Sequence, residues 1–272
     1  MSNKEQYIAV VLAADRAGVD PVAQHAGTAC KAFAPIGGRP MILRVLDALA
    51  GCARIQSTLL CGPPAALLPE CRELSEWIAH GRVGWIENRN SPSLSAAQGM
   101  AQIDPNVRIL LTTADHALLT PEIVEYFLQA SSELSCDATV GVIRHETIQS
   151  KFPGNKRTVI RLRDGNFCGC NLFTFNPHGR NLVAFWQQAE AFRKRPWRLV
   201  GQILGWQAVW AYLLGNLTLS RALESISNKT NIRIQPVILP FPEAGIDVDK
   251  ANDLVLVESL LTQPVSSPRA LP

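Results

Sequence analysis

The chain reads as an α/β fold, a mostly parallel sheet flanked by helices. Three observations predict it. Short, β-branched apolar runs alternate with segments of helical apolar spacing through the first half, at the pitch of βαβ units. The runs are almost continuously apolar, as in Val107-Arg108-Ile109-Leu110-Leu111, which suits strands covered on both faces. Finally, 272 residues, 47% of them hydrophobic, can bury a large core without disulfides.

Taken in order, residues 7–13 form a buried strand, followed by a long connection of small and polar residues. Residues 40–50 carry Ile42, Leu43, Leu46 and Leu49 on one helical face, with Pro40 in the first turn. A strand at 55–61 stops at Gly62-Pro63-Pro64, a helix covers 65–78, and a short strand covers 83–87. Ser91 or Ser93 caps a helix that runs to about residue 103. The strand at 107–113 follows, and Pro121 opens a helix that runs to about residue 132.

The second half is less regular. Strands are expected at 138–143, 158–162 and 167–175, with a hairpin turn at Asp164-Gly165. Helices are expected at 178–193 and 198–214, a strand at 232–239 and a closing helix at 251–261. With no internal repeat and no clean linker, one domain spanning 1–262 is expected. It carries a helical and β insertion at about 176–230 and a flexible Pro- and Ser-rich tail at 263–272.

A net charge of +3 argues for no nucleic-acid partner, though it is compatible with local positive charge around a phosphate. Seven cysteines, odd in number and irregular in spacing, several inside apolar runs, fit a reduced cytoplasmic protein. Cys168-Gly169-Cys170 lacks the second pair that zinc needs, so the pair reads as structural. No signal-peptide pattern opens the chain, and no window of about 18 apolar residues predicts a transmembrane helix.

Three segments could carry chemistry. In an open parallel sheet, ligands bind beyond the carboxyl ends of strands. The first connection lies there, rich in small residues whose N–H groups can approach phosphate oxygens, with Arg16 and Lys31 as its cations. Asp115 follows the strand at 107–113, where a carboxylate suits a hard cation such as Mg²⁺ or simply satisfies loop amides. His116 beside it reads as a loop residue, because Mg²⁺ prefers oxygen. In Gly245-Ile246-Asp247-Val248-Asp249, the two acids share a face of an extended segment. One can hold metal and the other can cap the closing helix, whose first turns also contain Asp253.

Together, in this order, the segments resemble the nucleotidyltransferases with a molybdenum-cofactor guanylyltransferase-like (MobA-like) domain. The family's opening LAAGxGxR…PK…GxPM is similar to Leu12-Ala13-Ala14-Asp15-Arg16-Ala17-Gly18, then Cys30-Lys31 and Gly38-Arg39-Pro40-Met41. Asp115 resembles the family's strand-end metal aspartate, and residues 245–254 its late DxDTxxDL motif, whose first acid usually completes the metal site. Residues 91–99 resemble its Ser- and Gly-bearing helix start, and Gly169 to Phe173 its NxG-type acceptor strand.

The resemblance implies a Rossmann-like sheet of the nucleotide-diphospho-sugar transferase type. It implies Mg²⁺-dependent transfer of a nucleoside monophosphate from a nucleoside triphosphate to a phosphorylated small-molecule or lipid-like acceptor, with release of pyrophosphate. Lys31 and Arg16 would be catalytic. Leu12, Ala13, Ala14, Gly18, Lys31, Ser91, Ser95 and Gly99 would bind nucleotide, Asp115 and Asp247 metal, and Gly169 and Asn171 the acceptor.

The chain departs from the pattern at Asp15, in place of the first loop glycine, at the offset of Arg16, and at Cys30, in place of proline. Asp15 supports the alternative of a non-catalytic nucleotide-binding or regulatory domain. A nucleotide-sugar glycosyltransferase is the other alternative, disfavoured because Asp115-His116-Ala117 lacks a second acid. Phe185, Trp186, Phe192, Trp197, Trp206, Trp210 and Tyr212, close to Arg193-Lys194-Arg195 and Arg198, read as core and homodimer packing or as a lid for a lipid-like acceptor. Lys156, Arg157, Arg161 and Arg163 alternate on a strand, a face that meets a phosphate or, on the favoured reading, carries solvated edge charges.

Overall fold

Strand β1 (Tyr7–Leu12) lies inside the sheet, parallel to β4 (Ile55–Cys61) on one side and β6 (Arg108–Thr113) on the other. The computed structural model describes residues 5–13, 20–191 and 205–262. The sheet continues past β4 to β5 (Gly84–Ile86), also parallel. Past β6 comes the long strand β9 (Gly165–Phe175), antiparallel to both its neighbours, β6 and β7 (Ala138–Arg144). Strand β10 (Ile234–Ile238) runs parallel to β7 at the far edge, and β8 (Ile160–Leu162) forms a hairpin with β9. The resulting order is β10-β7-β9-β6-β1-β4-β5, a Rossmann-like, mostly parallel mixed sheet of eight strands. A two-residue pair, β2 (Pro35–Ile36) and β3 (Arg39–Pro40), stands apart from it.

The apolar runs form strands because both faces are covered. On one face, Ala9 and Val11 of β1 join α2 (Met41–Ala50), α3 (Arg72–Ala79) and α5 (Pro121–Ser132) in the larger core. On the other, Val10 and Leu12 meet α4 (Pro92–Ala101), α7 (Leu182–Ala191) and α9 (Leu219–Thr230). Fully burying one such aliphatic side chain is worth about 1.5–3 kcal/mol, so alternation along β1 fastens both helical layers. Gly99 permits the approach of α4: a Cβ there would lie 2.7 Å from Cys61 Sγ and 3.2 Å from Val10 Cγ1.

The first connection is not loop throughout. It contains α1 (Pro21–Ala26), whose first amides are capped by Asp20 through bonds from Val22 N (2.8 Å) and Ala23 N (3.3 Å). Gly27 ends it at φ 65°. A 3₁₀ turn, Lys31–Phe33, follows. Both elements are too short to show a period in sequence. The helix expected at 65–78 is split into a 3₁₀ stretch, Ala65–Glu70, with Pro69 inside it, and α3. Helix α6 (His145–Lys151) and α9 were not anticipated. The helix expected from 178 starts as a 3₁₀ turn, Gly179–Asn181, before α7. Of the helix expected at 198–214, α8 (Trp206–Leu213) is present, while 198–204 lie outside the described residues, as does the tail at 263–272. Helix α10 (Ala251–Thr262) packs Leu254 and Val257 into the larger core. Among the described residues, no helix is long and apolar enough to cross a membrane.

Candidate active site

The site forms where β1 and β6 end side by side. Leu12 pairs with Thr113 in register, and Ala114 N donates to the Leu12 carbonyl (2.9 Å). Two residues past β6, Asp115 turns its carboxylate toward Lys31. The Lys31 Nζ donates to Asp115 Oδ2 at 2.7 Å, and Thr113 Oγ1 donates to Asp115 Oδ1 at 2.5 Å. Residues 246–249 run beside this turn, because Val248 N donates to the Asp115 carbonyl (3.0 Å). That bond brings Asp249 into place, and Lys31 Nζ donates to its Oδ1 at 2.9 Å. Three distant parts of the chain thus converge on one ammonium.

Lys31 is held rather than swinging. Its side chain is only 13% exposed, on a 3₁₀ turn whose Ala32 and Phe33 are buried. Burial opposes its charge, but the Asp115 and Asp249 carboxylates outweigh that and hold its pKa above the usual lysine value. Leu12, Ala13, Lys31 and Asp115 line a single small pocket of about 30 Å³.

Asp247 has other partners. The Arg157 guanidinium binds its carboxylate through Nη1 and its backbone carbonyl through Nη2 (2.6 Å), and Asn171 Nδ2 donates to Oδ2 (3.1 Å). The acid that faces Asp115 across Lys31 is therefore Asp249, not Asp247. At the closing helix Asp253 accepts from Asp249 N (3.1 Å) and Lys250 N (3.0 Å), reaching back over the first turn. Arg157, expected as a solvated edge charge, has a side chain only 9% exposed, and burial lowers its pKa. Asn171 adopts φ 50°, which is uncommon for a side-chain-bearing residue and turns its amide toward Asp247. Gly169, Asn171, Asp247 and Asp249 line one polar pocket together with Lys156, Arg157 and Lys250.

At the start of α4, Ser91 accepts from Leu94 N (3.3 Å) as its N-cap. Ser95 is fully buried; its Oγ accepts from Arg89 N (2.8 Å) and donates to the Ser91 carbonyl (2.9 Å), fixing the loop. Ser93 is bound through its N–H and hydroxyl to Glu190 of α7. Gly99, expected beside the nucleotide, is instead buried in the contact of α4 with the sheet. Ala14, Arg16 and Gly18 lie outside the described residues. Among the described residues, no group of three or more His, Cys, Asp or Glu side chains forms a metal cluster. His116 is buried at 1% exposure, and burial takes its pKa down to about 4.

The MobA-like NTP transferase domain model matches residues 9–233, most of the chain and the whole β1-to-β6 half of this site. The chain belongs to the MobA-like NTP transferase family. This NTP transferase is thus a nucleotidyltransferase. A hypothetical transferase from Thermus thermophilus is similar to it at 28% identity and a TM-score of 0.76, covering 92% of this chain and 99% of that one. The 4-diphosphocytidyl-2C-methyl-D-erythritol synthase of Anaerococcus prevotii shares the fold at 11% identity and a TM-score of 0.59, covering 96% and 100% of the two chains. A CMP:2-keto-3-deoxy-manno-octonic acid synthetase complexed with CTP shares it at 14% and 0.54, covering 95% and 98%. No curated protein matches the chain.

The sequence placed Arg157 on a basic strand face without identifying its partner Asp247, and it named Asp247 rather than Asp249 beside Asp115. The alternation of Asp247 and Asp249 signalled that both were candidates. Nothing in the local sequence names the partner of Arg157, which lies 90 residues away.

Proposed function

We propose that this NTP transferase moves a nucleoside monophosphate from a nucleoside triphosphate to a phosphorylated acceptor. A phosphate oxygen of the acceptor attacks the α-phosphorus, the bond to the bridging oxygen breaks, and pyrophosphate leaves with the electron pair. One observation carries the reading: Asp115 and Asp249, 134 positions apart, present carboxylate oxygens at 2.7 and 2.9 Å from the same cation, Lys31 Nζ. Two hard oxygen donors aimed at one positive point are the protein share that Mg²⁺ takes when phosphates supply further ligands. The residues present therefore fit Mg²⁺, with Asp115 and Asp249 as its holders. When bound, such an ion offsets charge on the phosphate oxygens.

The remaining work falls to the chain's own groups. Lys31, a compact charge with three donors, neutralises oxygens of the triphosphate on the pyrophosphate side. The ends of β1 and β6 set Leu12 and Ala13 against the same small pocket, where backbone approaches the nucleotide. Lys156 and Lys250 in the adjoining polar pocket receive the acceptor's phosphate, beside Gly169 and Asn171. Catalysis is then mainly alignment and charge stabilisation, with no covalent enzyme intermediate. CTP is the first nucleotide to try, because one fold relative is complexed with CTP.

Pyrophosphate release tests the proposal, with CTP, GTP, UTP and ATP each offered with Mg²⁺ and a pool of phosphate monoesters. One nucleotide is expected to turn over, and Asp115→Asn or Asp249→Asn is expected to lower the rate at least about 10²-fold. Nucleotide binding without turnover in the unaltered protein would instead favour a regulatory domain.

A further inference from the structure

An apolar cleft shares the lining residue Asn171 with the polar pocket and Leu12 with the small pocket beside Lys31. It lies on the α4 and α7 side of the sheet and has a volume of about 290 Å³. Its walls include Leu111, Phe173 and Phe175 from the strands, and Leu182, Val183 and Trp186 from α7. Polar side chains line it at Thr112, whose buried hydroxyl has no hydrogen-bond partner among the described residues, at Thr113, two residues before Asp115, and at Asn171. Asn171 lines both spaces, so the cleft and the polar pocket meet at one residue. Its φ of 50° and its bond to Asp247 hold it at that junction.

The two spaces differ in chemistry. Lys156 and Lys250, on the polar side, have no ion-pair partner among the described residues and suit an anionic head. Among the described residues the polar side chains on the cleft's walls are Thr112, Thr113 and Asn171, all toward the strands, so most of the polar edge of a nucleobase or sugar ring would go unmatched there. An apolar group gains from the same walls, at a rate set by the area it buries.

We infer that the acceptor is amphipathic, a phosphate monoester whose head lies among Lys156, Lys250 and Asn171 and whose hydrocarbon body fills the cleft against Phe173 and Trp186. This rests on the nucleotidyl-transfer reading for the word acceptor, but not for the binding itself.

Calorimetry with n-alkyl phosphates from ethyl to decyl, without nucleotide, tests it. Affinity is expected to rise with each methylene, by up to about fourfold, until the cleft is full, then level off. Leu182→Trp, at a half-buried wall position, is expected to flatten that dependence while CTP affinity stays put. Chain-length-independent binding, or no binding by any member of the series, overturns the inference using the unaltered protein alone. Loss of CTP affinity in Leu182→Trp with the alkyl series unchanged also overturns it, and returns the cleft to the nucleoside. Pyrophosphate release is scored separately, so failure of transfer and failure of the amphipathic acceptor are told apart.

Discussion

Replacing Lys31 with methionine separates the chemistry of this site from its stability. Methionine keeps most of the length and apolar bulk and removes the charge. Two charge-assisted bonds are lost, at 2.7 Å to Asp115 and 2.9 Å to Asp249. A bond of this kind contributes about 1.5–3 kcal/mol when shielded. Asp115 is 20% exposed and Asp249 43%, so the second bond falls to the value of a surface pair, under about 1 kcal/mol. Relief of the buried ammonium's desolvation offsets part of the loss. The net is a destabilisation of about 2 kcal/mol, or roughly 4 °C in Tm for a chain of this size.

The variant also leaves two carboxylates without the lysine between them. Mg²⁺ alone is therefore expected to stabilise Lys31→Met more than the parent protein. Mg²⁺ at ten times its Kd adds about 1.4 kcal/mol by mass action. Turnover is expected to fall about 10²- to 10³-fold regardless, because Mg²⁺ does not replace the ammonium at the leaving pyrophosphate. Thermal melts across a Mg²⁺ titration and pyrophosphate release under saturating nucleotide give the three readouts. Unchanged turnover, or parallel Mg²⁺ responses in the two proteins, would refute the reasoning.

Gly99→Ala is expected to cost about 1–3 kcal/mol, because its Cβ would stand 2.7 Å from Cys61 Sγ; Cys61→Ala in the same chain should recover most of that in urea melts. Arg157→Lys cannot hold both the carboxylate and the carbonyl of Asp247 as the guanidinium fork does, so denaturant midpoints should fall and alkyl phosphate affinity with them. His116 has a folded pKa of about 4 against about 6.5 when unfolded, so the unfolded state takes up the proton first as pH falls. Its contribution is present at neutral pH and is lost between about pH 6.5 and 4, roughly 2 kcal/mol by pH 4.5. His116→Leu should show a shallower loss over that range in urea midpoints, and identical slopes would remove the assignment.

The strands of the first half were legible because each is an apolar run bounded by a breaker, as Ile55–Cys61 is by Gly62-Pro63-Pro64. The helix starts near residues 91 and 121 were legible too, from the cap candidates Ser91 and Ser93 and from Pro121, since a cap bond and a fixed φ are local features. The short α1 escaped notice because six residues carry no readable period, and α9 because its buried face is narrow. In the site, Lys31 and Asp115 could be picked out from their places after β1 and β6. Asp247 and Asp249 could not be told apart.

By itself the sequence determined the alternating elements, the motif order and hence the family, since these rest on local propensity and on residue types at set spacings. The tertiary structure alone decided that β9 runs antiparallel between β6 and β7, that Lys31 is anchored, and that Asp249 faces Asp115. Those outcomes depend on which strand edges pair and on a single backbone bond from Val248 to Asp115. Adjacent acids on one extended segment have the same local chemistry, and only partners folded in from far along the chain, Arg157 for one and Lys31 for the other, make them different.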